Sequence, residues 1–290
     1  MKNFIVRTIT AVFFVAAIVT SFLNPRAMTL LFSIVTGMTI WEFATLVNER
    51  PFVTINRFIC TVSGVYLFLA MTGYNSGMTP ATVFIPYLVS IIYLMVAELY
   101  LKAKDPVNNW AYTMFSQLYI ALPFSLLNVL AYRSNSYEIQ YTYLMPLSVF
   151  AFLWVNDAGA YICGSLLGRH KLFPRISPGK SWEGSIGGAI FVLAVAYGIG
   201  WLDNMEIADA NHASPIFAGM LSIPEWLGLG LVVVVFGTWG DLVESLFKRT
   251  LGIKDSGSIL PGHGGMLDRF DSSLLAIPAA VVYLYTLSLF

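Results

Sequence analysis

Residues 223–249 read IPEWLGLGLVVVVFGTWGDLVESLFKR. No side chain ionises between Glu225 and Asp241, and a run of ~20 predominantly apolar residues is what a helix needs to cross a bilayer core. The far end changes character. Asp241, Ser245 and Lys248 recur at i, i+4 and i+7, so on a helix they form one polar stripe that finishes at the membrane surface. The rest of the chain repeats the first part of this pattern. Apolar residues make up 57% and charged residues 11% of the 290 positions, whereas soluble domains carry about 25% charged residues. With a mean hydropathy of +0.73, there is too little polar surface to clothe a water-facing globule. Soluble globular, disordered and nucleic-acid-binding classes are excluded, so neither DNA nor RNA is expected as a partner. The 16 Lys and Arg balance the 16 Asp and Glu, which removes any polyanion-binding argument from net charge.

Spans are expected near 4–23, 27–47, 57–73, 82–101, 112–131, 143–163, 183–201, 223–245 and 272–290, an all-α polytopic membrane protein of about nine transmembrane helices. Pro123 interrupts the fifth span, and Asn24-Pro25-Arg26 separates the first two. Lys2 and Arg7 precede an apolar run as in a signal peptide, but no small-x-small cleavage site follows, so a retained anchor is expected. With the N-terminus cytoplasmic and the C-terminus outside, Arg26 and Arg133 are the only outward members of the 16 Lys and Arg, in accord with the positive-inside rule. Loop 202–222 is acidic instead, with Asp203, Glu206 and Asp209. Cys60 and Cys163 lie in apolar runs and offer neither a disulfide framework nor a zinc-ligand set. Without repeats or linkers, 1–290 reads as a single membrane domain. Its 1–140 helices serve packing and dimerisation, and 141–290 carries the catalytic helices and cytoplasmic loops.

Glu42, Glu98, Asp157, Glu183, Asp241 and Glu244 fall within or beside spans, all toward cytoplasmic ends. That placement suggests a cavity open to the cytoplasm rather than a path through the bilayer. Glu42 and Glu98 read as helix-end acids reaching interfacial water. Asp157 and Asp241 read as functional, because short side chains snorkel poorly. Around Asp157, the small residues Ala158, Gly159 and Ala160 also allow close helix approach.

Two longer loops, 164–182 and 246–271, gather Gly, Pro and charge. Gly179-Lys180-Ser181 mimics a P-loop, but that motif needs a glycine where Pro174 stands. Lys180, Ser177 and Ser181 still suit an anion. Ser181 or Trp182 should open a helix, whose free amides attract phosphate; a plain N-cap with topology-setting charges explains the same residues. In the second loop, Asp268 and Asp271 share a helix face at i, i+3. With Asp241 they would form a hard oxygen site suited to Mg²⁺. Lys248, Arg249, Lys254 and Arg269 surround it with cations, and the glycines of 262–265 allow amides to approach a phosphate. Carboxylate-held Mg²⁺ amid such cations is what phosphoryl or nucleotidyl transfer requires. A purely anchoring loop would explain the cations but not the packed Gly, His and Asp.

Segment 245–271 resembles the signature of the phosphatidate cytidylyltransferase (CDP-diacylglycerol synthase) family. Ser245, Lys248, Arg249, Lys254, Asp255, Gly257, Leu260, Pro261, His263, Gly264, Gly265, Met266, Asp268, Arg269, Phe270 and Asp271 fill it without gap or mismatch. Two weaker segments, Asp157 to Tyr161 and Ser177 to Gly184, fit in order, with Ala158 where the family often has a hydroxyl. The first half is similar only as a set of hydrophobic spans. The resemblance implies transfer of a cytidylyl group from CTP to phosphatidic acid, giving CDP-diacylglycerol and pyrophosphate. It also implies Mg²⁺ with K⁺ as a companion, a homodimer embedded in membrane lipid, and a bacterial cytoplasmic (inner) membrane location.

On that template Asp241, Asp268 and Asp271 would hold metal, and Lys248 and Arg249 would act at the transferred phosphate. Lys254, Arg269, Lys180, Ser177 and Ser181 would contact phosphates, and His263 would donate a hydrogen bond. Asp157, Ser245, Asp255, Gly264 and Gly265 complete the substrate-binding set. Two rivals are another Mg-dependent membrane phosphotransferase and a transporter of an anionic solute. The spaced aspartates of CDP-alcohol transferases are absent, and so are the repeated halves and midplane charges common in transporters.

Overall fold

Asn24 ends one helix and starts the next. Its side-chain oxygen accepts the amides of Arg26 at 2.9 Å and Ala27 at 3.3 Å, and Pro25 takes the first helical position, where a missing N–H costs nothing. Helix α1 therefore closes at Lys2–Phe22 and α2 runs Pro25–Asn48. The computed structural model describes residues 2–134, 138–208, 221–257 and 264–288. Helix α3 (Arg57–Asn75) is capped by Asn56, and a short 3₁₀ turn leads into α4 (Ile85–Leu101).

The fifth expected span begins six residues early, at Pro106, because Asp105 caps it and Pro106 occupies its first position. Polar Asn109 is tolerated there: it accepts the Thr54 amide at 2.8 Å and donates to Glu98 at 3.1 Å. Helices α5 (Pro106–Ser116) and α6 (Leu122–Ala131) are joined without a break by a π-turn over Gln117–Ala121. Pro123 cannot donate, and the wider turn before it, with the Leu122 amide on the Gln117 carbonyl, absorbs the fault in the ladder.

Strands β1 (Tyr132–Ser134) and β2 (Ile139–Tyr141) pair antiparallel. Helix α7 (Leu144–Leu167) leads into a second hairpin, β3 (Lys171–Phe173) with β4 (Ser177–Ser181), paired Lys171 to Ser181 and Phe173 to Ser177. Sequence reading leaves this segment as loop. Helices α8 (Trp182–Ala208), α9 (Ile223–Thr250) and α10 (Leu267–Leu287) follow. The fold is thus nearly all-α. Among the described residues eight helices are long and apolar enough to cross a membrane, and α1 contributes a shorter apolar stretch, Thr10–Phe22. The chain is an integral membrane protein.

Two compact units emerge: Met1–Tyr141 with Phe247–Phe270, and Thr142–Leu246 with Asp271–Phe290. In the first, the rings of Phe22, Phe32, Phe124 and Phe270 form a fully buried cluster. Two buried polar contacts there tie helices together. Thr72 donates to Asn128 at 2.9 Å, and Gln117 donates to the Cys60 carbonyl at 3.0 Å. In the second unit α7 and α8 pack backbone to backbone. A Cβ on Gly159 would come within 3.0 Å of Gly188 Cα, so the glycine beside Asp157 serves packing.

Candidate active site

Within the second unit, three carboxylates from two helices come together. Asp241 and Glu244 lie one turn apart on α9, Asp271 lies on α10, and each offers an oxygen within 4.8 Å of the others. Glu244 is fully buried. The approach depends on Gly240, where a Cβ would stand 2.7 Å from the Asp271 carbonyl oxygen and 2.9 Å from that of Ser272. Any larger residue would push the two backbones apart. Three acids this close repel one another unless a cation is shared, and an all-oxygen donor set is the kind that hard divalent ions prefer. The group fits a metal ion.

A lysine completes this cluster. Hairpin β3–β4 carries Lys180 so that its Nζ lies 2.6 Å from Asp241 Oδ2, while Ser245 donates to Asp241 Oδ1 at 3.1 Å. Ser181, which ends the hairpin, is the N-cap of α8, accepting the Gly184 amide at 3.1 Å. The capping explanation thus holds for Ser181. Lys180, Ser181, Asp157, Asn156, Ser185 and Thr238 line one cleft, and Ser177 is half-buried on the same strand. Glu183 is occupied locally: it accepts the amides of Arg169 and His170 and pairs with His170 Nδ1 at 2.6 Å.

The first unit holds a second polar cluster. Lys248 Nζ meets Asp268 Oδ1 at 2.6 Å, and both side chains are largely buried. Asp268 Oδ2 accepts the amides of Ser256 and Gly265, each at 2.8 Å. Both oxygens of Asp268, expected as metal ligands, are therefore engaged by a cation and two backbone donors. Gly264 adopts φ +84°, left-handed backbone that glycine enters without strain. Arg249, Lys254, Asp255 and Arg269 are exposed, with Arg249 donating to the Ile253 carbonyl at 3.3 Å. His263, like Leu260 and Pro261 of the signature, lies outside the described residues.

Two acids that the sequence places within or beside spans, Glu244 and Glu42, were left out of the expected site. Glu244 stands three residues after Asp241, a helical spacing that could have flagged it. Glu42 was expected to reach interfacial water. Instead it is buried, 6% exposed, and accepts hydrogen bonds from Ser256, Met266 and Leu267. No local pattern links it to partners more than 200 positions away.

Residues 5–287 match the sequence model of the Cytidylyltransferase family. Curated proteins named phosphatidate cytidylyltransferase are similar over nearly the same extent. The relative from Staphylococcus aureus is 31% identical, covering 94% of this chain and 96% of its own. That from Haemophilus influenzae is 32% identical over 94% and 95%, and that from Staphylococcus saprophyticus 33% identical over 94% and 96%.

Proposed function

Because the chain belongs to the cytidylyltransferase family, we propose that it transfers the cytidylyl group of CTP to phosphatidic acid, forming CDP-diacylglycerol and pyrophosphate for phospholipid synthesis. The observation that carries this reading is the carboxylate group Asp241, Glu244 and Asp271 with Lys180 seated on Asp241. It combines a metal-suited donor set with a cation, in the last third of α9 and the first turns of α10, within an integral membrane protein where a lipid phosphate and a nucleotide can both arrive.

In the reaction, an oxygen of the lipid phosphate bonds to the α-phosphorus of CTP. The bond to the β-phosphate oxygen breaks, and its electron pair leaves with pyrophosphate. No covalent enzyme intermediate is needed, since the substrate supplies its own nucleophile. Asp241, Glu244 and Asp271 would hold Mg²⁺, which when bound supplies charge neutralisation at the phosphate oxygens. Lys180 offsets phosphate charge from the hairpin, with Ser177 and Asp157 beside it in the substrate-binding role. By the family resemblance, Lys248 and Arg249 would act at the transferred phosphate. Asp268 orients Lys248 through their 2.6 Å ion pair, while Lys254 and Arg269 attract the anionic substrates. Ser245, Asp255, His263, Gly264 and Gly265 keep their roles in substrate binding.

The positive-inside distribution supports nine crossings, a cytoplasmic N-terminus and a site open to the cytoplasm of a bacterial inner membrane. K⁺ and a homodimer rest on the family resemblance alone. The test is incubation of the purified chain with radiolabelled CTP, phosphatidic acid and Mg²⁺ in detergent micelles. A labelled CDP-lipid is expected. Its absence in folded protein, above all with anion uptake in proteoliposomes, would replace this reading by that of a transporter.

A further inference from the structure

Glu42 sits in α2, in the half of the chain that sequence assigns to packing, and its carboxylate is buried. A buried carboxylate needs compensation by donors. Oε1 accepts from the Ser256 hydroxyl and from the Leu267 amide at 3.2 Å, and Oε2 accepts the Met266 amide at 2.8 Å. Those two amides stand at the start of α10, where N–H groups lack intrahelical partners and the helix dipole is positive. Glu42 therefore caps α10 from another helix. Ser256 extends the connection. Its hydroxyl accepts the Asp268 amide at 3.3 Å, while its own amide goes to Asp268 Oδ2 at 2.8 Å. Asp268 Oδ1 is the atom paired with Lys248.

The same carboxylate explains two glycines of the 245–271 segment. A Cβ on Gly265 would collide with Glu42 Oε1 and Ser256 Oγ, and one on Gly257 would stand 3.0 Å from Glu42 Oε2. The backbone folds onto the acid at both positions because no side chain intervenes. We propose that Glu42 is a positioning residue for the transfer: through Ser256 and the first turn of α10 it fixes the Asp268–Lys248 pair. This rests on the roles given to those two residues above.

The test compares the full chain with Glu42→Gln and Ser256→Ala in micelles, by CTP kinetics, thermal unfolding and hydrogen exchange of segments 254–257 and 264–268. Glutamine keeps the volume but replaces one acceptor with a donor. It should lower kcat on the order of tenfold or more, the scale of a small misplacement of reacting groups. The KM for CTP should stay within about threefold, exchange in both segments should quicken, and Ser256→Ala should reproduce the split. A merely structural cap would lower thermal stability and leave kcat per folded molecule unchanged; that pattern would overturn the proposal. Should Glu42→Gln not fold, Ser256→Ala decides by the same split. Should the unaltered chain form no CDP-lipid, the functional reading fails, and unchanged exchange in the variants would separately show that Glu42 does not hold this segment.

Discussion

Asp241 stands between a cation and two anions. Lys180 lies 2.6 Å from one of its oxygens, while Glu244 and Asp271 present theirs within 4.8 Å. Replacing it with asparagine keeps the shape but removes the negative charge that pairs with Lys180 and leaves the group with two anionic ligands in place of three. Asp241→Asn should reduce CTP turnover by about 100-fold or more, the scale at which removal of one electrostatic contact to a transferring group is felt. Raising Mg²⁺ should recover part of that loss, because a weakened site fills at higher ion concentration. Lys104→Ala, in the connection between α4 and α5 and far in sequence from the signature, should leave turnover within about twofold, since surface substitutions away from a site rarely matter. Steady-state rates across a Mg²⁺ titration check both. Equal losses in the two variants would remove the special status of Asp241. The residue scale also shows where sequence reading works. Asp241 was legible because a short acid inside an apolar run demands an explanation. Glu42 looked ordinary because its partners are set by tertiary packing and leave no periodic trace.

At the scale of elements, helix existence was legible nearly throughout, because the bilayer leaves few ways to satisfy a backbone other than a long apolar helix. A boundary was legible where its cap was read, as at Asn24-Pro25, whereas the same signal at Asp105-Pro106 went unread and the fifth span was expected six residues late. Hairpin β3–β4 was not, since Ser177-Pro178-Gly179-Lys180-Ser181 has neither the alternation nor the β-branched residues that mark a strand. Yet that hairpin is what carries Lys180 to Asp241. Equally hidden was the role of Gly240, which lies next to Asp241 and reads as one more small residue in a span. A Cβ there would stand within 3.0 Å of the carbonyl oxygens of Asp271 and Ser272, too close for any side chain. Gly240→Ala should therefore part α9 from α10 and spread the acid cluster without touching a charge. Activity should fall on the order of tenfold or more, as expected for a small displacement of a reacting geometry. Gly198→Ala, where a Cβ meets nothing within 4 Å, should leave it unchanged. Turnover normalised to folded protein separates the two. If Gly240→Ala is as active as Gly198→Ala, backbone approach at this point does not set the site.

For the molecule as a whole, the sequence-level argument is the placement of charge, and the segment Pro106–Ala131 is where it can be tested most directly. This stretch has 26 residues, roughly 39 Å at the rise of an α-helix, more than the ~30 Å of a bilayer core. It contains Pro123 and a π-turn, and two thirds of its apolar window is buried within the protein. A helix so interrupted could instead dip into the membrane and return. The positive-inside pattern argues against that: Lys102 and Lys104 precede it, Arg133 alone follows, and moving Arg133 to the inner side would reverse the side of every later loop. The lysines and arginines of 164–182 and 246–271 would then lie outside, contrary to the rule that basic residues stay cytoplasmic. In a background with Cys60 and Cys163 replaced by serine and alanine, Lys104→Cys and Arg133→Cys each place one thiol beside an end of the segment. In intact cells an impermeant maleimide should label Arg133→Cys and spare Lys104→Cys until the membrane is opened. Protection of both would mean that Pro106–Ala131 does not cross, and labelling of Lys104→Cys alone would invert the orientation. Either outcome would move the charged loops, and with them the acids of α9 and α10, to the face of the membrane where CTP is absent.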